Sequence, residues 1–439
     1  MINLVMCHAS KISERIGKKG IMCPLSLAYI ARHTPNHYSI QVFDEYVGDS
    51  LSPEKVKADL VAVSAITPGI SRAYEIGDVL RNRGITCVIG GVHASILPEE
   101  ASIHFDAVIT GEGEQPWREF LHDFERGMLK QVYTGRLDEP LDNIGIPRRD
   151  CTNPNYFFQS VQTSRGCPHS CSFCYLSAFK DRKYRTIPHD IVLEDLESFK
   201  QRAFSIVDEN FMGYSNHHLE DRKVLLEKII RKNLHKFWGC QTTIDISTKP
   251  ELMSLMYKAG CRVVFLGFES EEQEGLHDVR KKHNLNIDYK DVVRTLHKNG
   301  FAVIASYVFG LDSHGKDYYR ALIQGIKNSK PDFLRLTYLT AWPGTPLYQN
   351  LEDEGRIDRA WDTMYVDKPS ITFKNFSHEE VREARKMVLD SFYNAVSITR
   401  IAIRLILRTN IQLIRLLFHM SFLWARKWGS SFYMGDPNR

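Results

Sequence analysis

The sequence predicts an α/β protein made of a doubly wound parallel sheet, a partial (β/α)6 barrel and a helical tail. Two series of short apolar runs alternate with helical patterns, which is typical of parallel sheets whose strands are joined by helices. The length of 439 residues agrees with two or three domains. We place the first domain at residues 1–130, a linker at 131–158, the barrel at 159–350 and a C-terminal region at 351–439.

The first series contains five β-rich apolar runs bounded by turn residues, the pattern of strands buried on both faces. Segments with apolar residues at helical spacing lie between them. Together they predict a right-handed βαβ series. The strand candidates are Ile2–Cys7, Ile40–Phe43, Leu60–Ser64, Thr86–Ile89 and Ala107–Ile109, and the helix candidates are Leu25–Ala31, Arg72–Arg81 and Gln115–Glu125.

Residues 131–158 are polar, dotted with Pro and Asn and weakly periodic, which predicts a linker. A second series of strand and helix patterns follows, and it predicts a partial or full parallel barrel whose chemistry gathers at the carboxyl-terminal strand ends. The strand candidates are Ser205–Val207, Phe237–Gln241, Arg262–Leu266, Val303–Phe309 and Phe333–Tyr338, and the helix candidates are Asp190–Lys200, Leu219–Arg231 and Tyr318–Lys327.

The composition excludes several classes of protein. Hydrophobic residues make up 43% and charged residues 25%, which is ordinary globular usage and excludes disordered, collagen-like and disulfide-scaffold chains. A net charge of +4 is too small to indicate nucleic-acid binding. The N-terminus shows no secretory signal pattern, so we expect a cytoplasmic protein with reduced thiols.

Three small or glycine-rich loops follow strands of the first series: Ser64–Gly69, Gly90–His93 and Thr110–Glu114. Ligands of doubly wound sheets bind beyond the carboxyl ends of the strands, and glycine lets the backbone approach a large flat ligand. The alternative is that these glycines only turn the chain. Three such loops at one sheet edge favour ligand binding.

Three of the nine cysteines, Cys167, Cys171 and Cys174, fall in the segment QTSRGCPHSCSFCYL with the spacing Cys-x3-Cys-x2-Cys. Three thiolate ligands leave one iron of a four-iron cluster without a protein ligand, and a small molecule can coordinate there. The alternative is a structural zinc site with His169 as fourth ligand. Such sites usually pair Cys-x2–4-Cys with a distant second pair, which this chain lacks.

Over residues 1–350 the chain resembles the radical S-adenosylmethionine (SAM) enzymes that carry an N-terminal cobalamin-binding domain. The resemblance implies a [4Fe-4S] cluster on the three cysteines. In that family the cluster binds the amino and carboxylate groups of SAM and cleaves SAM to methionine and a 5′-deoxyadenosyl radical, which takes hydrogen from carbon. Phe173 occupies the aromatic position that the family places near the adenine, and Tyr175 follows the motif.

The resemblance extends to later strand ends of the barrel. The segments IVDENF, GCQTTID, SYVFGLD and TAWPGTPLY resemble strand-end motifs of the family, and LGFES resembles the fourth-strand motif whose glutamate binds SAM. A single strand-end glutamate is otherwise an ordinary polar residue, so the order of the motifs carries the argument. The SAM-binding residues implied are Phe173, Tyr175, Asp208, Glu209, Asn210, Gln241, Glu269 and Ser306.

In the first domain, GGVHASILPEE and FDAVITGEGE resemble the family's cobalamin domain. The chain lacks the Asp-x-His-x-x-Gly motif whose histidine ligates cobalt in many methyltransferases, which leaves the lower cobalt face to a residue such as those of the Thr67–Gly69 turn. A domain that has lost the cofactor is the alternative. The cobalamin-binding residues implied are Ser64, Thr67, Gly69, Gly90, Gly91, His93, Gly111, Gly113 and Glu114.

Residues 397–428 carry five arginines, one lysine and no acidic residue. Arg400, Arg404 and Arg408 are four residues apart and share one helical face, with apolar residues on most of the others. Arginines at this spacing argue against a spanning helix, because each charge at mid-bilayer costs about 2.5–3.5 kcal/mol. We predict a basic amphipathic helix that lies on an anionic membrane surface, with Trp424 and Trp428 in the interface. Packing on the barrel or in a dimer is the alternative.

We therefore expect a cobalamin-dependent radical SAM methyltransferase that acts on an unreactive carbon of a hydrophobic, lipid or tetrapyrrole-like substrate. The second candidate is an anaerobic oxidative cyclase or radical rearrangement, and the third is a non-catalytic module stabilised by metal. The expected partners are the substrate, an electron donor such as flavodoxin or ferredoxin, and a membrane surface, with no nucleic acid. The expected location is the cytoplasm, peripheral to the membrane.

Overall fold

The computed structural model describes residues 1–11, 15–16, 19–357 and 360–408. The strands of this part are β1 (Ile2–His8), β2 (Arg15–Ile16), β3 (Lys19–Met22), β4 (Tyr38–Asp44), β5 (Leu60–Ser64), β6 (Thr86–Gly90), β7 (Ala107–Thr110), β8 (Val132–Thr134), β9 (Tyr156–Val161), β10 (Ser164–Arg165), β11 (Arg185–Thr186), β12 (Ala203–Ile206), β13 (Phe237–Thr242), β14 (Cys261–Glu269), β15 (Ala302–Phe309) and β16 (Phe333–Tyr338). The helices are α1 (Ser26–Arg32), α2 (Ile70–Asn82), α3 (Val92–Ile96), α4 (Pro98–His104), α5 (Glu114–Glu125), α6 (His189–Glu197), α7 (Asn216–Lys232), α8 (Pro250–Lys258), α9 (Gln273–Asp278), α10 (Tyr289–Lys298), α11 (Tyr318–Ser329), α12 (Pro346–Asp353), α13 (His378–Phe392) and α14 (Ala395–Arg408).

The first sheet has six parallel strands in the order β4-β1-β5-β6-β7-β8. Side chains alternate between its faces. In β1, Leu4 and Met6 join the core on one face, whereas Val5 and Cys7 join the core on the other. Two cores on one sheet confirm the doubly wound prediction. The strand order reverses beside β1, and ligand crevices of such sheets form at this point.

The second sheet contains β9 and β12 to β16 as parallel neighbours with helices between them, which confirms the partial (β/α)6 barrel. The short strand β3 extends this sheet beside β9, with Gly20 opposite Tyr156. The chain therefore contributes to the barrel sheet before it completes the first domain. Among its four residues only Gly20 is buried, so β3 has no apolar pattern that the sequence could reveal.

The segment predicted as a linker contains one strand and the beginning of another. Strand β8 adds a sixth strand to the first sheet beside β7, and β9 begins the barrel. Only the central residue of β8, Tyr133, is buried, and its hydroxyl donates to Asp123 at 3.1 Å. A single buried residue gives no period that predicts a strand.

The beginning of the predicted basic helix packs against the barrel. Ile401 is 4% exposed, and Nη1 of Arg404 donates to Oδ1 of the buried Asp332 at 2.8 Å. In this part of α14 the packing favours the alternative in which the helix lies on the barrel. The later positions of the predicted helix, 409–428, lie outside the described residues, and no helix that the structure describes has the length and apolar character to cross a membrane.

Candidate active site

The cysteine loop, which we define as residues 166–184, connects β10 to β11 and carries the three predicted cluster ligands. Gly166 begins it with φ +90°, and a Cβ there would lie 2.3 Å from the carbonyl oxygen of Lys183, so only glycine fits. The guanidinium of Arg182 donates to the carbonyl oxygens of Cys167 at 3.3 Å, His169 at 3.0 Å and Phe179 at 2.6 Å. These bonds fold the loop back on itself.

The three thiols lie close to one another. The pKa of Cys174 is raised to about 12: burial contributes most and the neighbouring Cys171 and Cys167 add to it, whereas a backbone hydrogen bond at Leu176 and the ammonium of Lys281 lower it. Clustered, buried thiols that repel one another as thiolates need a cation, and metal ions deprotonate coordinating thiols outright. The donor set therefore fits an iron–sulfur cluster held by three cysteines.

The surroundings of the cysteine loop agree with a group bound there. Nε2 of His283 is buried without a hydrogen-bond partner. The imidazole of His283 stacks on that of His169, the alternative zinc ligand, with ring centroids 4.0 Å apart. In the described ranges, no three Cys, His, Asp or Glu side chains converge as they would around a single metal ion.

Glu269, at the end of β14, lies beside the cysteines in a strained backbone conformation with φ +66°. Its Oε1 accepts a hydrogen bond from Nζ of Lys281 at 2.7 Å, and both side chains are largely buried. A Cβ at Gly267 would lie 2.2 Å from that carboxylate oxygen and 2.6 Å from the ammonium. Gly267 therefore makes room for the pair, and strain of this kind persists where the surroundings enforce it.

Three SAM-binding candidates, Asp208, Glu209 and Asn210, follow β12, and their side chains lie in different environments. Glu209 lines a cavity, and it accepts from the backbone NH of Gly166 at 3.1 Å and from the Tyr175 hydroxyl at 3.2 Å. Asp208 accepts from Thr163 and Ser164, and Asn210 donates to the Gly213 carbonyl. Because those bonds engage Asp208 and Asn210 inside the barrel, only Glu209 of the three borders open space.

Other SAM candidates occupy different positions. Phe173 is half-buried against the barrel core. The exposed Gln241 donates its amide to the backbone oxygen of Glu209 at 3.2 Å. Ser306 is buried on β15 opposite Gly267.

A cavity of about 420 Å3 lies between the first sheet and the cysteine loop. Six of the nine cobalamin candidates line it: Ser64, Gly90, Gly91, Gly111, Gly113 and Glu114. Gly166, Tyr175, Leu176, Phe179, Arg182 and Glu209 form the barrel side. A Cβ at Gly90 would meet no protein atom closer than 3.7 Å, so protein packing does not require glycine there. A bare backbone that borders the cavity fits a large flat cofactor.

The other three cobalamin candidates lie outside the lining of this cavity. His93 is fully buried, where its Nδ1 hydrogen-bonds the Thr67 hydroxyl at 3.2 Å and its Nε2 lies 3.3 Å from Glu100. Gly69 packs so closely on Ala9 that a Cβ would lie 2.5 Å from the Ala9 carbonyl oxygen. These contacts give Thr67, Gly69 and His93 a packing role.

Sequence reasoning missed several charged residues of the site. Lys281 lies in a loop after α9, and Arg165, Arg185 and Glu112 meet across the cavity. The sequence offers one signal for them: Arg165 and Arg185 border the cysteine loop, and Glu112 lies in the same loop as the predicted Gly111 and Gly113.

Comparison with known proteins gives the family. The model of the radical SAM superfamily matches residues 161–323, and the model of the B12 binding domain matches residues 19–121. Bacteriochlorophyllide d C-12(1)-methyltransferase of Chlorobaculum tepidum is 28% identical over 365 residues, which cover 80% of this chain and 79% of that protein. Hopanoid C-2 methylase of Rhodopseudomonas palustris is 28% identical over 347 residues, which cover 76% of this chain and 65% of that protein.

A solved structure of the radical SAM methyltransferase TsrM from Kitasatospora setae, with tryptophan and a SAM analogue bound, shares the fold with a TM-score of 0.66. The match covers 82% of this chain and 78% of TsrM at 17% identity. The chain belongs to the radical SAM enzymes that carry a B12 binding domain, and its cofactors are SAM, a [4Fe-4S] cluster and cobalamin.

Proposed function

We propose that the chain is a methyltransferase that places a methyl group on an unactivated carbon of a hydrophobic, lipid or tetrapyrrole-like substrate. The observation that carries this proposal is a single cavity with walls from both the glycine loops of the first domain and the cysteine loop of the barrel. When bound, cobalamin supplies a methyl donor, and the cluster with SAM supplies a radical that takes hydrogen from carbon.

The residues that we propose to hold these groups lie around the cavity or beside the cysteine loop. Cys167, Cys171 and Cys174 hold the cluster. Glu269 and Lys281 together present one anion and one cation, which complement the amino and carboxylate groups of SAM. Glu209, fixed by Gly166 and Tyr175, faces the cavity as an acceptor for a hydroxyl or amino group.

The apolar part of the cavity wall supports an apolar substrate. Both domains contribute apolar side chains to this wall. These side chains include Leu25, Ile30, Val88, Trp117, Leu176 and Phe179. The named relatives act on bacteriochlorophyllide d and on hopanoids.

Product analysis tests this function against the oxidative cyclase or rearrangement. The anaerobically purified protein is reconstituted with iron, sulfide and hydroxocobalamin, then incubated with SAM, a reductant and a lipid extract of cells that lack the chain. Methyl transfer predicts S-adenosylhomocysteine together with 5′-deoxyadenosine. Formation of 5′-deoxyadenosine alone would favour cyclisation or rearrangement.

An external electron donor of the flavodoxin or ferredoxin class belongs to this proposal, because SAM cleavage consumes an electron. Reduced flavodoxin or ferredoxin is expected to replace the chemical reductant in the same assay. Failure of both flavodoxin and ferredoxin to support 5′-deoxyadenosine formation would contradict the proposed class of electron donor.

We also propose that the basic C-terminal region touches an anionic membrane surface. Arg404 is engaged by Asp332, so the contact depends on the basic residues that follow it, up to position 428. Pelleting with anionic liposomes tests the idea, with the full chain and a chain ending at residue 408 as the pair. Equal soluble fractions of the two would contradict it.

A further inference from the structure

We propose that Glu112 and Glu114 are positioning residues that fix the GEGE loop, residues 111–114, against the cysteine loop, and that they do not bind a cofactor themselves. The inference rests on the proposed function, because methyl transfer depends on how the two cofactor sites face each other.

Two arginines create the need for these glutamates. Arg165 and Arg185 stand directly opposite each other in the antiparallel β10–β11 ribbon that closes the cysteine loop. Like charges at directly opposite positions destabilise a ribbon. The two side chains are only 13% and 10% exposed, so water screens their repulsion poorly. The ribbon therefore requires anions close by.

The GEGE loop supplies two. Arg165 binds Glu114 with both ends of its guanidinium, at 2.6 Å and 3.2 Å. Arg185 binds Glu112 in the same way, at 2.5 Å and 3.0 Å. Nη1 of Arg165 also lies 3.2 Å from Oε2 of Glu112, so Glu112 joins the two pairs into one network.

This geometry fixes the approach of the two loops. Bidentate arginine–carboxylate pairs specify orientation as well as distance, and removing one partner of a buried pair leaves an uncompensated charge. The residues beside the ion pairs are themselves walls of the cavity: Gly111 and Gly113 on one side and Gly166 on the other. The network therefore sets the width of the cavity at the point where the two domains meet.

The double substitution Glu112→Gln/Glu114→Gln tests the proposal in the holoenzyme with reconstituted cluster and bound cobalamin. The matched control is Glu119→Gln, which removes the carboxylate of an exposed pair with Lys130 in the same domain. One readout is the affinity for hydroxocobalamin from visible absorbance. The other is the microwave power saturation of the cob(II)alamin EPR signal, because a nearby reduced cluster speeds its relaxation.

We expect the double variant to bind hydroxocobalamin as the wild type does and to saturate at several-fold lower power, while Glu119→Gln matches the wild type in both. Weaker hydroxocobalamin binding with unchanged saturation would overturn the proposal, because it would make the glutamates cofactor ligands. Unchanged values in both measurements would also overturn it. If the double variant does not fold, Glu114→Gln alone is used, because Glu112 still neutralises one arginine.

Hydrogen exchange of the ligand-free protein separates failure of this inference from failure of the proposed function. The inference predicts faster exchange in residues 111–114 and 164–166 of the variant than of the wild type, whether or not methyl transfer is the reaction. Equal exchange in both segments would contradict it.

Discussion

Nζ of Lys281 lies 2.7 Å from Oε1 of Glu269, inside the barrel and beside the cysteine loop. Burial alone would lower the pKa of Lys281, but attraction to Glu269 and to Cys171 raises it, so the ammonium stays charged. The cysteine loop is tied to the segment before Lys281 by a bond from the Ser172 NH to the Val279 carbonyl at 3.1 Å. The predicted cluster ligands and the SAM-binding candidate Glu269 thus share one buried cation, Lys281.

Replacing Lys281 by Met is expected to destabilise the protein by about 3–5 kcal/mol, because the carboxylate of Glu269 remains buried without a cation. The double variant Lys281→Met/Glu269→Gln is expected to recover most of that loss. Urea unfolding of the ligand-free protein measures both, and Lys298→Met, an exposed site, is the control. A double variant no more stable than the single one would refute the pairing.

Gly90 and Gly91 are adjacent, but we expect a methyl group at Gly91 to lower stability and a methyl group at Gly90 to weaken cobalamin binding. Gly91 has φ +108°, and a Cβ there would lie 2.4 Å from the Ala65 carbonyl oxygen. Gly91→Ala is therefore expected to lower the free energy of unfolding by about 1–3 kcal/mol. Gly90→Ala is expected to keep its stability but to weaken hydroxocobalamin binding. Equal stability of the two variants, or full cobalamin affinity of Gly90→Ala, would contradict this assignment.

Cys171→Ala is expected to abolish both the iron–sulfur absorbance after anaerobic reconstitution and the cleavage of SAM to 5′-deoxyadenosine. Three cysteine thiolates ligate three irons of a four-iron cluster and leave the fourth iron open. With only two thiolates, a second iron also lacks its protein ligand. Cys151→Ala, at a half-buried cysteine outside the cysteine loop, is the matched control and should keep both. SAM cleavage by Cys171→Ala would contradict the assignment of Cys171 as a cluster ligand.

The buried His314 makes stability depend on pH. Burial lowers its pKa to about 3, and its Nδ1 accepts from the Leu311 NH, so a second ring proton has no acceptor. Below pH 6.5 the unfolded chain binds a proton that the folded one does not, so stability falls by about 1.4 kcal/mol per pH unit from this group. The loss extends from pH 6.5 down to about 3.

His314→Gln is expected to remove this group's share of the pH dependence, about 1.4 kcal/mol per pH unit below pH 6.5. Urea unfolding between pH 7 and pH 5 measures the free energy of unfolding. Tyr318→Phe removes a hydroxyl near His314, because that hydroxyl donates to Ser270 and the Ser270 hydroxyl lies 3.1 Å from Nε2 of His314. This variant is expected to keep the wild-type slope. Identical slopes for all three proteins would show that His314 is not the group involved.

The strands with runs of buried apolar residues and the cysteines predicted to hold the cluster could be recognised because their signals are local. Strand β5 has the predicted bounds, Leu60–Ser64, since a strand buried on both faces reads as a continuous apolar run. Cys167, Cys171 and Cys174 lie within one loop, so their spacing is visible directly.

Partners across the fold were not predictable, because topology and not spacing brings them together. Lys281 follows Glu269 by 12 residues and matches no motif. His93 lies two residues after the cavity-lining Gly91, but in α3 its ring meets Thr67 and Glu100, and the same carboxylate oxygen of Glu100 accepts from Trp361 of the C-terminal region. Nearness in sequence to a ligand loop therefore did not place His93 in the cavity.

The most direct test of the proposed reaction is the fate of the SAM methyl group. The reconstituted holoenzyme is incubated anaerobically with SAM carrying a trideuterated methyl group, a reductant and a lipid extract of cells that lack the chain, and the products are analysed by mass spectrometry. The account predicts a hydrophobic product that carries the intact trideuterated methyl group on carbon, together with 5′-deoxyadenosine. Formation of 5′-deoxyadenosine with an altered substrate that carries no deuterium would contradict methyl transfer.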